Sequence, residues 1–241
     1  MDEVQYGIHA RLSGTHWWYY GTNSFFARLI KRHVKSGARI LDAGCGAGGL
    51  LSALKKDYAV AGVDVSETAL GYCRQRGIEN ICRGTVEALP FESGTFSGVV
   101  SLDVLYHREV KSDLAALREM VRVLEPGGFL FIQLPAYQWL KSGHDRVAHG
   151  QRRYTAAALG KLLDSCGLER TKLAYRMTFL FPLAAAGRVL ARGRGSDLKE
   201  VNPLVNNVLK TLMRAENFLA ERFDMPFGLS VIAVARKSGT K

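Results

Sequence analysis

A carboxylate, a cluster of glycines and a second carboxylate further on are the residues of this chain best placed to do chemistry. Asp42 precedes Gly44, Gly46, Gly48 and Gly49 in Ile40-Leu-Asp-Ala-Gly-Cys-Gly-Ala-Gly-Gly49, and Asp64 ends Tyr58-Ala-Val-Ala-Gly-Val-Asp64. Glycines are needed where a backbone turns tightly and a ligand approaches it closely. A helix starting at Leu50 would offer free N–H groups to that ligand. Asp64 falls twenty-two residues beyond Asp42, where an acid past a glycine loop can accept bonds from both hydroxyls of a ribose. The pattern reads as a site for a nucleoside cofactor. Gly44, Gly46 and Gly49 satisfy the dinucleotide pattern G-x-G-x-x-G, and Gly44, Gly46 and Gly48 satisfy G-x-G-x-G. A carboxylate at position 42 would repel a pyrophosphate and suit a ligand carrying an α-amino group and a sulfonium. Asp64 could instead cap the next helix, but Ser66 fits that task better and leaves Asp64 free for the ribose.

The elements that must carry these residues follow from the apolar pattern. Ile40–Asp42 and Tyr58–Asp64 read as buried strands, each ending in its acid. Arg83-Gly-Thr-Val-Glu-Ala-Leu-Pro-Phe91 follows as a loop. Gly98–Leu102 reads as a central strand with Tyr106 and His107 in the loop at its carboxyl end, where open α/β sheets bind ligands. Leu114–Leu124 has apolar residues at helical spacing, Glu125-Pro-Gly-Gly128 breaks it, and Phe129–Leu134 is a further buried strand.

The segment LDAGCGAGG resembles motif I of the class I S-adenosylmethionine (SAM)-dependent methyltransferases. The segment from Arg83 to Phe91 resembles their adenine-lining motif, usually Gly-Asp-Ala-Glu-x-Leu-Pro-Phe. Leu105-Tyr106-His107 stands where small-molecule members often carry Leu-Glu-His, and L-E-P-G-G matches a later family feature. The motifs occur in order over about residues 38–135. The nearest resemblance is to the methyltransferase type 11, UbiE/UbiG-like small-molecule subset. It implies a Rossmann-like, doubly wound α/β sheet of seven strands, the last antiparallel, with an N-terminal helical cap and helical insertions. It implies SAM as cofactor, S-adenosylhomocysteine as product, and contacts from Asp42, Gly44, Cys45, Gly46, Asp64, Val65, Thr85, Val86, Glu87 and Leu102. Thr85 replaces the usual acid, so a weaker or shifted adenine contact is expected. Glu87 has a second reading as a solvated loop acid. His107 is a candidate general base. Alignment alone could suffice, because a sulfonium is already a strong electrophile.

Acceptor choice is expected outside that core, in a single domain over 1–241. Residues 1–37 would form the cap, 38–135 the cofactor core, 136–155 a substrate lid, and 178–224 a helical insertion before the last strand. His16-Trp17-Trp18-Tyr19-Tyr20 resembles a His-Trp-Trp-Phe segment of a bacterial subset, with Asn23 where that subset has arginine. One tryptophan is expected in the core and the other over the pocket, with Trp18 and Tyr20 as acceptor contacts. In the lid, Tyr137, Arg152, Arg153 and Tyr154 are candidate acceptor contacts, and His144 and His149 candidate bases. The two arginines suit a carboxylate or phosphate; the alternative is that Arg153 and Tyr154 anchor the lid to the helix over Thr155–Cys166. The insertion carries basic amphipathic sequence around Leu204–Arg222. It is expected to wall the pocket or form a dimer, with contact to a membrane surface as the alternative.

Composition bounds the rest. The 241 residues are 47% hydrophobic, enough for one sizeable core. Cys45, Cys73, Cys82 and Cys166 show no C-x-x-C pairing or metal spacing and fit reduced cysteines of the cytoplasm. No metal is expected. No signal-peptide apolar region or membrane span is evident, and Ala191–Ser196 is the best candidate for a flexible loop. The net charge of +11 suits an anionic partner or scattered surface charge; no RNA-binding motif is evident, which disfavours nucleic acid. The expected function is methyl transfer to O, N or C of a small-molecule or lipid-like acceptor, anionic if the lid arginines bind it, by a monomer or homodimer. The alternatives are an NAD(P)-binding oxidoreductase and a non-catalytic SAM-binding or regulatory protein.

Overall fold

A computed structural model describes residues 3–141, 143, 145, 149–190 and 201–239. His144 and Ala191–Ser196 lie outside the described residues. The order is α1 (Glu3–Leu12), α2 (Trp17–His33), β1 (Arg39–Ala43), α3 (Gly49–Leu54), β2 (Ala59–Asp64), α4 (Glu67–Gln75), β3 (Ile81–Arg83), β4 (Phe96–Leu102), α5 (Asp113–Val123), β5 (Leu124–Pro135), α6 (Ala156–Ser165), β6 (Leu168–Arg176), α7 (Phe181–Leu190), α8 (Pro203–Ala220) and β7 (Ser230–Lys237). The seven strands form one sheet in the order β3-β2-β1-β4-β5-β7-β6. β7 runs antiparallel to both β5 and β6, while β1 to β5 pair in parallel.

Strands buried on both faces read as continuous apolar runs. Leu41, Ala43, Val63, Val99 and Leu130 face one core with Leu117, Met120 and Leu163. Ile40, Val100, Phe131 and Val234 face the other with Phe25, Phe26, Leu29 and Ile30 of α2. Each such side chain contributes about 1.5–3 kcal/mol by leaving water. The strand order reverses between β1 and β4, so their carboxyl ends open a crevice there. The Glu125–Gly128 segment does not break the chain before β5. It forms the irregular start of that strand, with a register shift opposite Phe96 and Gly98, because Gly127 turns at φ +82° without leaving the sheet.

α2 begins at His16, whose Nδ1 accepts from Trp18 N–H at 3.3 Å. α8 lies against α2. The Trp17 N–H donates to Asn206 Oδ1 at 2.8 Å, and Asn217 Nδ2 donates to the Gly21 carbonyl at 2.8 Å. Gly21 allows the approach, since a Cβ there would stand 2.8 Å from the Met213 side chain. No described helix is long and apolar enough to cross a membrane.

Candidate active site

The carboxyl ends of β1, β2 and β4 open into a cavity of about 590 Å³. The Gly44–Gly49 turn lies beneath it, and Trp17, Trp18 and Tyr19 of α2 close it together with Leu180, Leu183 and Ala184. Gly44 has φ +92°, and a Cβ there would stand 2.3 Å from Val104 Cγ2, so the turn admits only glycine. Gly46 has φ +50° with open space where a Cβ would point, so no side chain fills that side of the turn. Asp64 holds this turn. Its Oδ2 accepts from Gly46 N–H at 2.9 Å and its Oδ1 from Ser66 N–H at 3.0 Å. The expectation of a free Asp64 is thereby corrected: sparsely solvated N–H groups of the turn need an acceptor. Ser66 caps α4 through Ala69 N–H at 3.2 Å, as expected.

The cavity is a field of carboxylates. Asp42 is 4% exposed. Burial, and then the charge of Asp64, pushes its carboxyl up to about 7. Asp103 stands just past β4 at φ +53°, a conformation that costs a non-glycine residue energy and gathers at functional sites. Burial pushes its carboxyl up to about 6, against the Gln133 hydrogen bond and the charges of Arg176 and Arg153. Gln133 Nε2 donates to Asp103 Oδ2 at 2.8 Å, and Arg176 Nη1 donates to Gln133 Oε1 at 2.9 Å. Arg176 is fully buried, and that burial lowers its guanidinium to about 10. Its other donors reach Thr22 Oγ1 at 3.1 Å and Asn217 Oδ1 at 3.0 Å. Sequence reasoning passed over Asp103 and this network. The available signal was an acid at the carboxyl end of the central strand.

Most of the expected residues meet here. Asp42, Gly44, Cys45, Gly46, Asp64, Val65, Thr85, Val86 and Leu102 line the cavity, with Trp18, Tyr106, His107 and Arg153. Both Trp17 and Trp18 line it, so neither takes the core position expected for one of them; Phe25 and Phe26 fill the core instead. Asn23 lines the cavity as well.

Six expected contacts are engaged elsewhere. Glu87 accepts from the Ser112 and Lys111 N–H groups at 2.8 and 3.1 Å, satisfying donors at the start of α5. The Tyr20 hydroxyl accepts from Arg214 Nε at 3.0 Å, and the Arg214 guanidinium lies 5.2 Å over its ring, joining α2 to α8. Tyr137 stacks on Tyr175 at 5.0 Å. Arg152 Nη2 donates to the carbonyls of Leu105, His107 and Val110 at 2.8, 3.0 and 2.6 Å, which a loop leaving the sheet would otherwise strand. The Tyr154 hydroxyl donates to Asp113 Oδ2 at 2.8 Å. His149 sits at φ +56° with Nδ1 3.5 Å from Glu109 Oε1. Arg153 lines the cavity but grips Asp145 with Nε at 2.8 Å and Nη2 at 3.0 Å, and the Ala136 carbonyl with Nη1 at 2.9 Å. Among the described lining residues, Asp42, Asp64, Asp103, Glu109 and Asp145 stand against this one arginine. Such a site favours a cation and repels a polyanion. No group of three His, Cys, Asp or Glu among the described residues is placed to hold a metal ion.

Residues 41–132 match the family model described as a methyltransferase domain. Over this segment the chain is similar to SAM-dependent methyltransferases. Curated relatives agree over the same core segment. The chain is 33% identical over 116 residues to the tRNA (carboxymethyluridine(34)-5-O)-methyltransferase of Xenopus tropicalis, a stretch covering 48% of this chain and 17% of that one. It is 32% identical over 121 residues to 24-methylenesterol C-methyltransferase 3 of Arabidopsis thaliana, covering 46% and 32%. The chain thus spans less than a third of the length of these relatives. A SAM-dependent methyltransferase of Thermotoga maritima shares its fold, with TM-score 0.62 and 19% identity over 97% of this chain and 99% of that one. Relatives named for tRNA and for sterol stand side by side, so the expectation against nucleic acid draws no support from them.

Proposed function

We propose that the protein binds SAM in this cavity and transfers its methyl group to O, N or C of a small-molecule or lipid-like acceptor. The observation that carries the reading is the ring of carboxylates around a glycine turn with no side chain and free space at Gly46. Asp42 would face the α-amino end and the sulfonium. Asp64, which also holds Gly46 and Ser66, would accept from the ribose hydroxyls. Val65, Thr85 and Val86 would line the adenine. A dinucleotide would bring its pyrophosphate against Asp42 and Asp64, which disfavours the NAD(P) reading.

When bound, SAM supplies a methyl group made electrophilic by the sulfonium. This chain's residues hold and orient. Asp103 faces the cavity with its carboxylate fixed by Gln133, which Arg176 fixes in turn. It would accept a hydrogen bond from an acceptor hydroxyl or amine, and His107 would take a proton. The aromatic side chains of α2 and the apolar side chains near α7 exclude water. We propose one domain, in which the described residues of 1–37 and 178–224 roof the 38–135 core and those of 136–155 form a lid at the acceptor side.

Labelled methyl transfer from SAM onto the lipid, small-molecule and RNA fractions of a cell extract tests this reading. Label is expected in the lipid or small-molecule fraction. Label in RNA would favour the second reading, a tRNA acceptor, which the +11 charge and the tRNA-directed relatives support. Tight binding of S-adenosylhomocysteine with no transfer would leave a non-catalytic binding protein.

A further inference from the structure

α8 is amphipathic in the reverse of the usual sense. Its buried side chains are Met213, Glu216, Asn217 and Ala220. The face turned to solvent carries Leu204 at 76% exposure, Val208 at 67% and Phe218 at 56%. These positions share one side of a helix, and a water-facing helix shows the opposite arrangement. The polar residues are buried because they hold the chain beneath. Glu216 accepts from the N–H groups of Met177, Thr178 and Phe179, and Asn217 from Arg176.

The charge on this face has one sign. Arg214 and Arg222 are exposed, and the Arg222 guanidinium lies 3.6 Å over the Phe218 ring, a long cation laid along apolar surface. The two carboxylates of the segment are both withdrawn. Glu216 is fully buried, and the Glu221 side chain, 5% exposed, is bound by Arg28 and Arg32. The same apolar surface leads inward: Leu183 of α7 is 76% exposed and also lines the cavity, as does Leu209 of α8.

We propose that the α7–α8 face seats on an anionic lipid bilayer and turns the cavity mouth at Leu183 toward it. Apolar side chains enter the headgroup boundary and the flanking arginines meet lipid phosphates. A second copy of the chain fits less well. Two-fold pairing of this face sets its arginines against each other, and the exposed acid beside them among the described residues, Asp224, is already bound by Lys172. Docking stands on the surface alone; delivery of an apolar acceptor from the bilayer into the cavity rests on the methyltransferase reading above.

Flotation of the purified protein with phosphatidylcholine vesicles, with and without phosphatidylglycerol, tests the docking. The wild type should float with the anionic vesicles and be released by salt. The double change Leu204→Ser with Val208→Glu should cut the bound fraction roughly tenfold or more, with melting temperature and S-adenosylhomocysteine affinity unchanged. Three results would overturn the proposal: a wild type that stays unbound, one that floats equally with neutral vesicles, or variants that float as well as the wild type. A dimer by light scattering that the double change splits would assign the face to a second copy and overturn it too. S-adenosylhomocysteine titration on the same preparations separates the two readings, because its failure sinks the methyltransferase and leaves the docking result standing.

Discussion

Asp42 sets the cavity's response to pH. Burial lifts its carboxyl to about 7 in the fold, from an ordinary value of 3.8. The folded protein therefore keeps a proton there that the unfolded chain loses, and this group's contribution to stability falls as pH rises from about 4 to 7. A bound cation reverses the preference by favouring the charged carboxylate. SAM affinity should consequently rise roughly tenfold or more between about pH 5.5 and pH 8, and Asp42→Asn should flatten that rise in calorimetric titrations. A pH-independent affinity in the wild type would remove Asp42 from the ligand. Arg153 gives a second case. Its side chain is 4% exposed and that of Asp145 3%, so Arg153→Met leaves a buried charge alone. A loss of about 3–5 kcal/mol in denaturant unfolding is expected. Unchanged stability with a raised Michaelis constant would make Arg153 an acceptor contact instead.

At the scale of elements, local patterns were readable and distant partnerships were not. The β1 turn announced itself because left-handed φ values at Gly44, Gly46 and Gly48 require the glycines that stand there. The cap at Ser66 followed from capping chemistry within three residues, and Thr155 caps the helix expected from it onward. The lid from Tyr137 to Tyr154 left ligand contact and anchorage both open, because a dense run of charged and aromatic groups looks alike whether it meets a ligand or the protein's own backbone. Arg152 reaches Val110, forty-two residues away, and no spacing rule reveals that bond. The inverted face of α8 was likewise hidden: the apolar residues from Leu204 onward suggested a packed side, whereas α2 receives the polar one. Glu216 tests this arrangement. Glu216→Ala strands three backbone donors near Met177 and should cost about 3 kcal/mol in thermal or denaturant unfolding, with Glu216→Gln recovering part of it. A neutral effect of the alanine would mean that α8 is held by its other contacts.

Across the whole molecule, a cationic exterior encloses an anionic cavity. The +11 charge gave no hint of this reversal, since it sums over the chain and says nothing of where the charges lie. The seven-stranded sheet, by contrast, followed from the resemblance of the four core motifs, and β7 lies antiparallel as that resemblance implied. The acceptor stays outside such reasoning because a fold does not fix a substrate. The account turns on which nucleoside cofactor the carboxylates accept. Calorimetric titration of the wild type and Asp64→Ala with SAM, S-adenosylhomocysteine and NAD(P)H decides it most directly. The account predicts micromolar binding of the first two ligands, lost in Asp64→Ala, and none of NAD(P)H; binding of NAD(P)H alone would contradict it.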